Sequence, residues 1–108
     1  MTGIISKEEL KARIDRGENF RLVDVRDTPD YKREHIPGAV HLLIAELNPE
    51  RAAAMFDKRD LIVTYSLDEN CPAKRIAAQK FLDYGFTNVL AYEGSWEDWK
   101  TAGYPTER

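Results

Sequence analysis

Four compact apolar runs punctuate the chain, and helical patterns lie between them. "RLVDV" (21–25), "AVHLL" (39–43), "LIVTY" (61–65) and "NVLAY" (88–92) are rich in branched residues and too short for helices, so they predict buried strands. Ser6-Lys7-Glu8-Glu9 reads as a capping box, in which Ser6 accepts from the Glu9 amide and Glu9 reaches back to the Ser6 amide. Leu10 and Ile14 then share one helical face, and Gly17 supplies a stop. Thr28-Pro29 and Asn48-Pro49 each read as an N-cap followed by proline at the first helical position. Pro37-Gly38 fits the central pair of a type II turn. Pro72 suits the first turn of a longer helix carrying Ile76, Ala77, Lys80, Phe81 and Tyr84, which Gly85 ends. Near the C-terminus, Gly94 precedes Ser95, an expected N-cap, with Glu97 and Asp98 in the first helical turn.

Strands and helices therefore alternate along the whole chain. That order predicts an α/β fold: a small open three-layer domain with a central, mainly parallel sheet and helices on both faces. Ligands bind such sheets in a crevice outside the carboxyl ends of the strands. Three segments should meet there: "RDTPD" after Val25, the loop from Ser66 to Cys71, and "EGS" after Tyr92.

Composition narrows the function classes. A length of 108 residues suits one domain over the whole chain, 1–108, and the balance of 43% apolar with 32% charged residues suits a soluble protein. The net charge of -3, without a separate basic cluster, argues against nucleic acid or an anionic membrane as partner. The opening "MTGIISKEEL" lacks the basic and apolar regions of a secretion signal, and a lone cysteine requires no oxidising compartment, so a cytoplasmic location is expected.

Cys71 is the only cysteine. Asp68, Glu69, Asn70 and Pro72 around it are loop formers, and it stands at or just before a helix N-terminus, where free amides lower a thiol pKa. A reactive thiol is favoured over a small buried hydrophobe, with a redox-sensing thiol as a further possibility. Lys74 and Arg75, in the first helical turn, stand where they can orient an anionic donor. The acids Asp68 and Glu69 work the other way, since they should repel a dianion. Neither a metal nor an organic cofactor is expected: one cysteine and two histidines, His35 and His41, do not make a zinc set. His35 precedes Ile36-Pro37-Gly38, where supporting a turn is the ordinary role. Asp24 and Arg26 fall on one side of the first strand end, which predicts an ion pair, with positive potential from Arg26 as the functional alternative. Trp96, Trp99 and Tyr31 read as packing residues.

Two longer stretches resemble the rhodanese-like (sulfurtransferase) family. "LVDVRDTPDYKREHIPGAVHL" (22–42) is similar to its first signature and "FTNVLAYEGSWEDWKTAGYPTE" (86–107) to its C-terminal one. The resemblance implies transfer of sulfane sulfur from a small donor such as thiosulfate to a thiol acceptor through a cysteine persulfide, held by loop amides. It places the nucleophile directly after the third apolar run, where this chain has Ser66. A serine oxygen cannot form a persulfide. Either Cys71, five residues on, has taken over the sulfur, or the usual nucleophile has been lost and the chain is a non-catalytic binding or regulatory module. Ser66 and Cys71 are the candidate catalytic positions; Arg26, Leu67, Asp68, Glu69, Asn70, Lys74 and Arg75 are the candidate substrate contacts. With the loop curled about Ser66 and Cys71 close to the helix, weak thiosulfate cleavage is expected, with a gain on Ser66→Cys. The spacing from Cys71 to Arg75 is too short for the phosphate grip of related phosphatases. The oligomeric state is left open.

Overall fold

The computed structural model describes residues 3–108. Its elements are β1 (Gly3–Ile5), α1 (Lys7–Asp15), β2 (Arg21–Asp24), α2 (Thr28–Arg33), β3 (Val40–His41), a 3-10 turn (Ile44–Glu46), α3 (Pro49–Met55), β4 (Leu61–Tyr65), α4 (Ala73–Asp83), β5 (Asn88–Tyr92) and α5 (Ser95–Thr101). The strands form one five-stranded sheet in the order β1-β5-β4-β2-β3, every neighbouring pair parallel. This is the α/β architecture that the alternation predicts.

Period-two alternation explains why the strands are apolar almost throughout. Val23 and Ile62 face one side, where they pack with Leu42, Ala77, Phe81 and Phe86. Leu22, Val63 and Tyr65 face the other, with Leu10, Ile36, Tyr92 and Trp99. A sheet covered on both faces offers no solvent side, so both registers of the alternation are apolar.

The local signals fare unevenly. Ser6 does cap α1, its Oγ accepting from the Glu9 amide at 3.1 Å, but the Glu9 carboxylate turns to Arg13 at 3.3 Å. Only half of the capping box forms, because a charged i,i+4 partner competes for the same carboxylate. Ser6→Ala is expected to cost about 1 kcal/mol; an unchanged melting midpoint would mean that the helix start owes nothing to that cap. Asn48 caps α3 as expected, accepting from the Arg51 amide at 2.8 Å. Thr28 is not a cap: Asp27 holds that position, without a side-chain bond, and Pro29 falls within the first turn. Ser95 is likewise displaced by Gly94 as the capping residue of α5. The Pro37-Gly38 turn has Gly38 at φ +83° and the Ala39 amide on the Ile36 carbonyl at 3.1 Å, the type II geometry. "AVHLL" yields only the two residues of β3, because the chain leaves the sheet edge at Leu42 to bury that side chain. The sequence pattern offers four strands and misses β1, whose "GII" is too short to show a period.

Among the described residues no helix is long and apolar enough to cross a membrane.

Candidate functional site

After β2 the chain moves outward to β3, then returns beside β2 as β4 and continues to β5. The strand order thus reverses between β2 and β4, and a crevice opens beyond their carboxyl ends. A cavity of about 230 Å³ lies there. Val25, Arg26, Asp27 and Asp30 line it from the β2 side; Ser66, Leu67, Cys71 and Ala73 line it from the β4 side.

Cys71 is half-buried and unpaired. Burial alone would push its thiol up. The Ala73 amide, the Ser66 hydroxyl, the Leu67 amide and the Lys74 ammonium together outweigh that and hold it below the ordinary thiol value. No hydrogen bond to Sγ forms among the described residues, and the Ser66 hydroxyl donates to the Cys71 carbonyl at 3.3 Å. Ser66 and Cys71 stand together on the β4 side of the crevice. Ser66 is only 1% exposed. Its amide is spent on Ser95 Oγ at 3.1 Å, and its carbonyl accepts from the Trp96 amide at 3.1 Å.

The loop is held from below. Lys74 is 1% exposed, and its ammonium donates to the carbonyls of Asp68 (2.9 Å), Glu69 (3.2 Å) and Cys71 (2.8 Å). From above, Asp68 Oδ1 accepts from the amides of Asn70 and Cys71, both at 3.0 Å. These contacts correct the expectation that Lys74 and Arg75 present free charge to a donor. Lys74 ties down the loop because a buried ammonium must find acceptors, and Arg75 pairs with Glu93 beside a further cavity of about 300 Å³ that Cys71 also borders.

Arg26 is likewise committed. Its guanidinium donates to both carboxylate oxygens of Asp24 at 2.9–3.2 Å and to the Glu34 carbonyl at 2.7 Å, and it lies 4.4 Å from the Trp96 ring. The ion pair read from the sequence is present, so the charge of Arg26 is balanced at the crevice floor. Trp99 is core, and the Tyr31 hydroxyl donates to the Ala39 carbonyl at 2.7 Å. His35 supports the turn as expected: Nδ1 stands 2.9 Å from the Tyr31 carbonyl, and Nε2 stands 3.3 Å from Glu107, whose carboxylate also accepts from the Gly38 amide.

A family model described as the rhodanese-like domain matches residues 6–102. The chain belongs to that family. The putative sulfur carrier protein YrkF of Bacillus subtilis (strain 168) is 30% identical over 95 residues, 88% of this chain and 49% of that protein. The thiosulfate sulfurtransferase GlpE of Coxiella burnetii (strain RSA 331 / Henzerling II) is 34% identical over 85 residues, 79% of this chain and 75% of that one. The chain thus spans about half of the first relative's length. The solution structure of the rhodanese-like domain of the Anabaena sp. Alr3790 protein superposes with a TM-score of 0.86 at 31% identity, covering 99% of this chain and 80% of that one.

The segment after Tyr92 joins the other two loops through Ser95 and Trp96, which bond Ser66, and through the Trp96 ring beside Arg26, but it does not line the Cys71 crevice. The segment at Gly94 borders a second cavity of about 320 Å³ with Asp68, Glu69, Asn70, Glu97, Asp98 and Thr101, on the far side of the Ser66–Cys71 loop. Gly94 is confined to that role by contact, since a Cβ there would run into the Asp98 side chain. Three residues escaped the sequence reading. Asp27 and Asp30 line the Cys71 crevice; the only signal was their place in the expected loop after the first strand. Ser95, at φ +61°, joins the ends of β4 and β5, its Oγ accepting from the Ser66 amide and donating to the Tyr92 carbonyl at 2.9 Å. Its type suggested a cap, and only the strand pairing reveals the bridge.

The thiolate is the reactive form, so alkylation of Cys71 should rise to its plateau at lower pH than for an unperturbed thiol. Ser66→Ala removes one of the groups lowering the thiol pKa. It is expected to move that rise to higher pH and slow iodoacetamide at neutral pH by about a few-fold; coincident pH profiles would mean that the hydroxyl does not act on the sulfur.

Proposed function

We propose that this protein is a single-domain sulfurtransferase that carries sulfane sulfur on Cys71, with Ser66 as a positioning residue in the place of the family's nucleophile. The observation that carries the reading is the place of the thiol: a half-buried cysteine in the crevice at the strand-order reversal, just ahead of α4, where the nearby Ala73 and Leu67 amides favour its charged form. Dipoles of that kind favour a negative sulfur in both the thiolate and the persulfide, at the start of α4. The names of two relatives, a sulfur carrier and a sulfurtransferase, point the same way.

The chemistry balances without a cofactor. The Cys71 thiolate attacks the outer sulfur of a donor R–S–SH. An Sγ–S bond forms, the donor S–S bond breaks, and its electron pair leaves with R–S⁻; the proton stays on the transferred sulfur. An acceptor thiolate then attacks that outer sulfur and regenerates the Cys71 thiolate. A small sulfur donor and a thiol acceptor are the partners this requires, and a cytoplasmic setting keeps the thiol reduced.

A single-turnover chase tests the reading. The chain is loaded with sulfur, freed of donor and mixed with a small thiol. Loss of the added sulfur from the protein, with a matching persulfide on the thiol, is the expected result. A chain that binds donor yet hands on no sulfur is a binding module.

A further inference from the structure

Resting on Cys71 as the sulfur-carrying thiol, we infer that its crevice admits uncharged or cationic sulfur donors and turns away dianions such as thiosulfate, with Asp27 and Asp30 as the discriminating groups. Both carboxylates line the same cavity of about 230 Å³ as the thiol. Asp27 is exposed and has no side-chain partner as the capping residue of α2. Asp30 has only Arg33, at 3.3 Å, and that side chain is 73% exposed.

The cations that would balance these acids are engaged elsewhere. Arg26 shares its charge with Asp24. Lys74 lies under the loop on three carbonyls, with Glu93 4.0 Å away. Arg75 is paired with Glu93. Lys74 lies on the protein side of the sulfur, and Arg75, with Glu93 as its partner, borders Cys71 only through a separate cavity of about 300 Å³. A donor occupying this crevice shares it with the carboxylates of Asp27 and Asp30. Leu67, 44% exposed on the opposite wall, offers apolar surface to the donor's carbon chain. A low-dielectric cleft lined by one sign of charge concentrates counter-charged solutes and excludes like-charged ones.

The filter can be measured without any sulfur transfer. Cys71 is modified with the cationic trimethylammonium-ethyl methanethiosulfonate and with the anionic sulfonatoethyl methanethiosulfonate, which share a leaving group. The cation-to-anion rate ratio, divided by that of a small free thiol in the same buffer, is expected to be about tenfold at low ionic strength. It should fall toward one at about 1 M salt and in the Asp27→Asn/Asp30→Asn double variant. A ratio at or below that of the free thiol overturns the inference, as does a ratio that the double variant leaves intact. Loading assays separate this from the function itself: a charge preference without sulfur loading from any donor sinks the sulfurtransferase reading and leaves the filter standing. Faster loading from thiosulfate than from an uncharged alkyl persulfide does the opposite.

Discussion

Replacing Asp24 by alanine is expected to destabilise the protein by about 3–5 kcal/mol, the cost of leaving a buried charge without its partner. Asp24 is fully buried beneath the crevice. Its carboxylate accepts from the Arg26 amide at 2.8 Å, from the Arg26 guanidinium at 2.9–3.2 Å, and from the Tyr65 hydroxyl at 2.6 Å. Burial, with the Asp24 carboxylate adding to it, pushes the Tyr65 phenol well above its ordinary range, so it stays protonated and keeps donating. Without Asp24, a guanidinium that is 4% exposed retains the Glu34 carbonyl and the rings of Trp96 and Tyr65, and no anion. Denaturant midpoints measure the loss. A cost below about 1 kcal/mol, the range of exposed pairs, would mean that Arg26 escapes to water and that the crevice floor is not rigid.

Cys71→Ala should lower sulfur transfer from an uncharged alkyl persulfide to a thiol by at least about a hundredfold, the scale of losing a covalent nucleophile. The chain contains one sulfur nucleophile, and its neighbours cannot substitute. Ser66 is buried, and its oxygen would have to carry the sulfur. Steady-state rates on the two proteins decide the matter, with circular dichroism confirming that the variant folds. The informative control is Ser66→Cys. If the unaltered chain is inert and Ser66→Cys gains transfer, the sulfur position is residue 66 and Cys71 is a bystander.

Much of the fold could be read from the chain because its signals are local. "LIVTY" and "NVLAY" coincide with β4 and β5, since a strand buried on both faces needs an unbroken apolar run. Ser6 and Asn48 cap their helices because a hydroxyl or amide oxygen three residues from an amide needs nothing remote. What escaped the reading depends on contacts across the sheet. Ser95 is drawn from capping by two partners on different strand ends. Lys74 looks like a surface cation on a helix, and becomes a buried strut only when the loop folds over it. The Ser66–Cys71 loop could be placed at the end of the third apolar run, but the burial of Ser66 and the half-burial of Cys71 are set by the turn of that loop over α4. The acids of the crevice came from the neighbouring loop, brought to the same cavity as Cys71 by the parallel pairing of β2 with β4.

The central claim is that Cys71 takes up sulfur, and the intact mass of the unaltered protein after exposure to an uncharged alkyl persulfide tests it most directly. Since the chain has one cysteine, any persulfide must lie on it. The account predicts a gain of one sulfur atom on most of the protein, removed by dithiothreitol and absent from Cys71→Ala. An unchanged mass, with the thiol still free to alkylation, would contradict it.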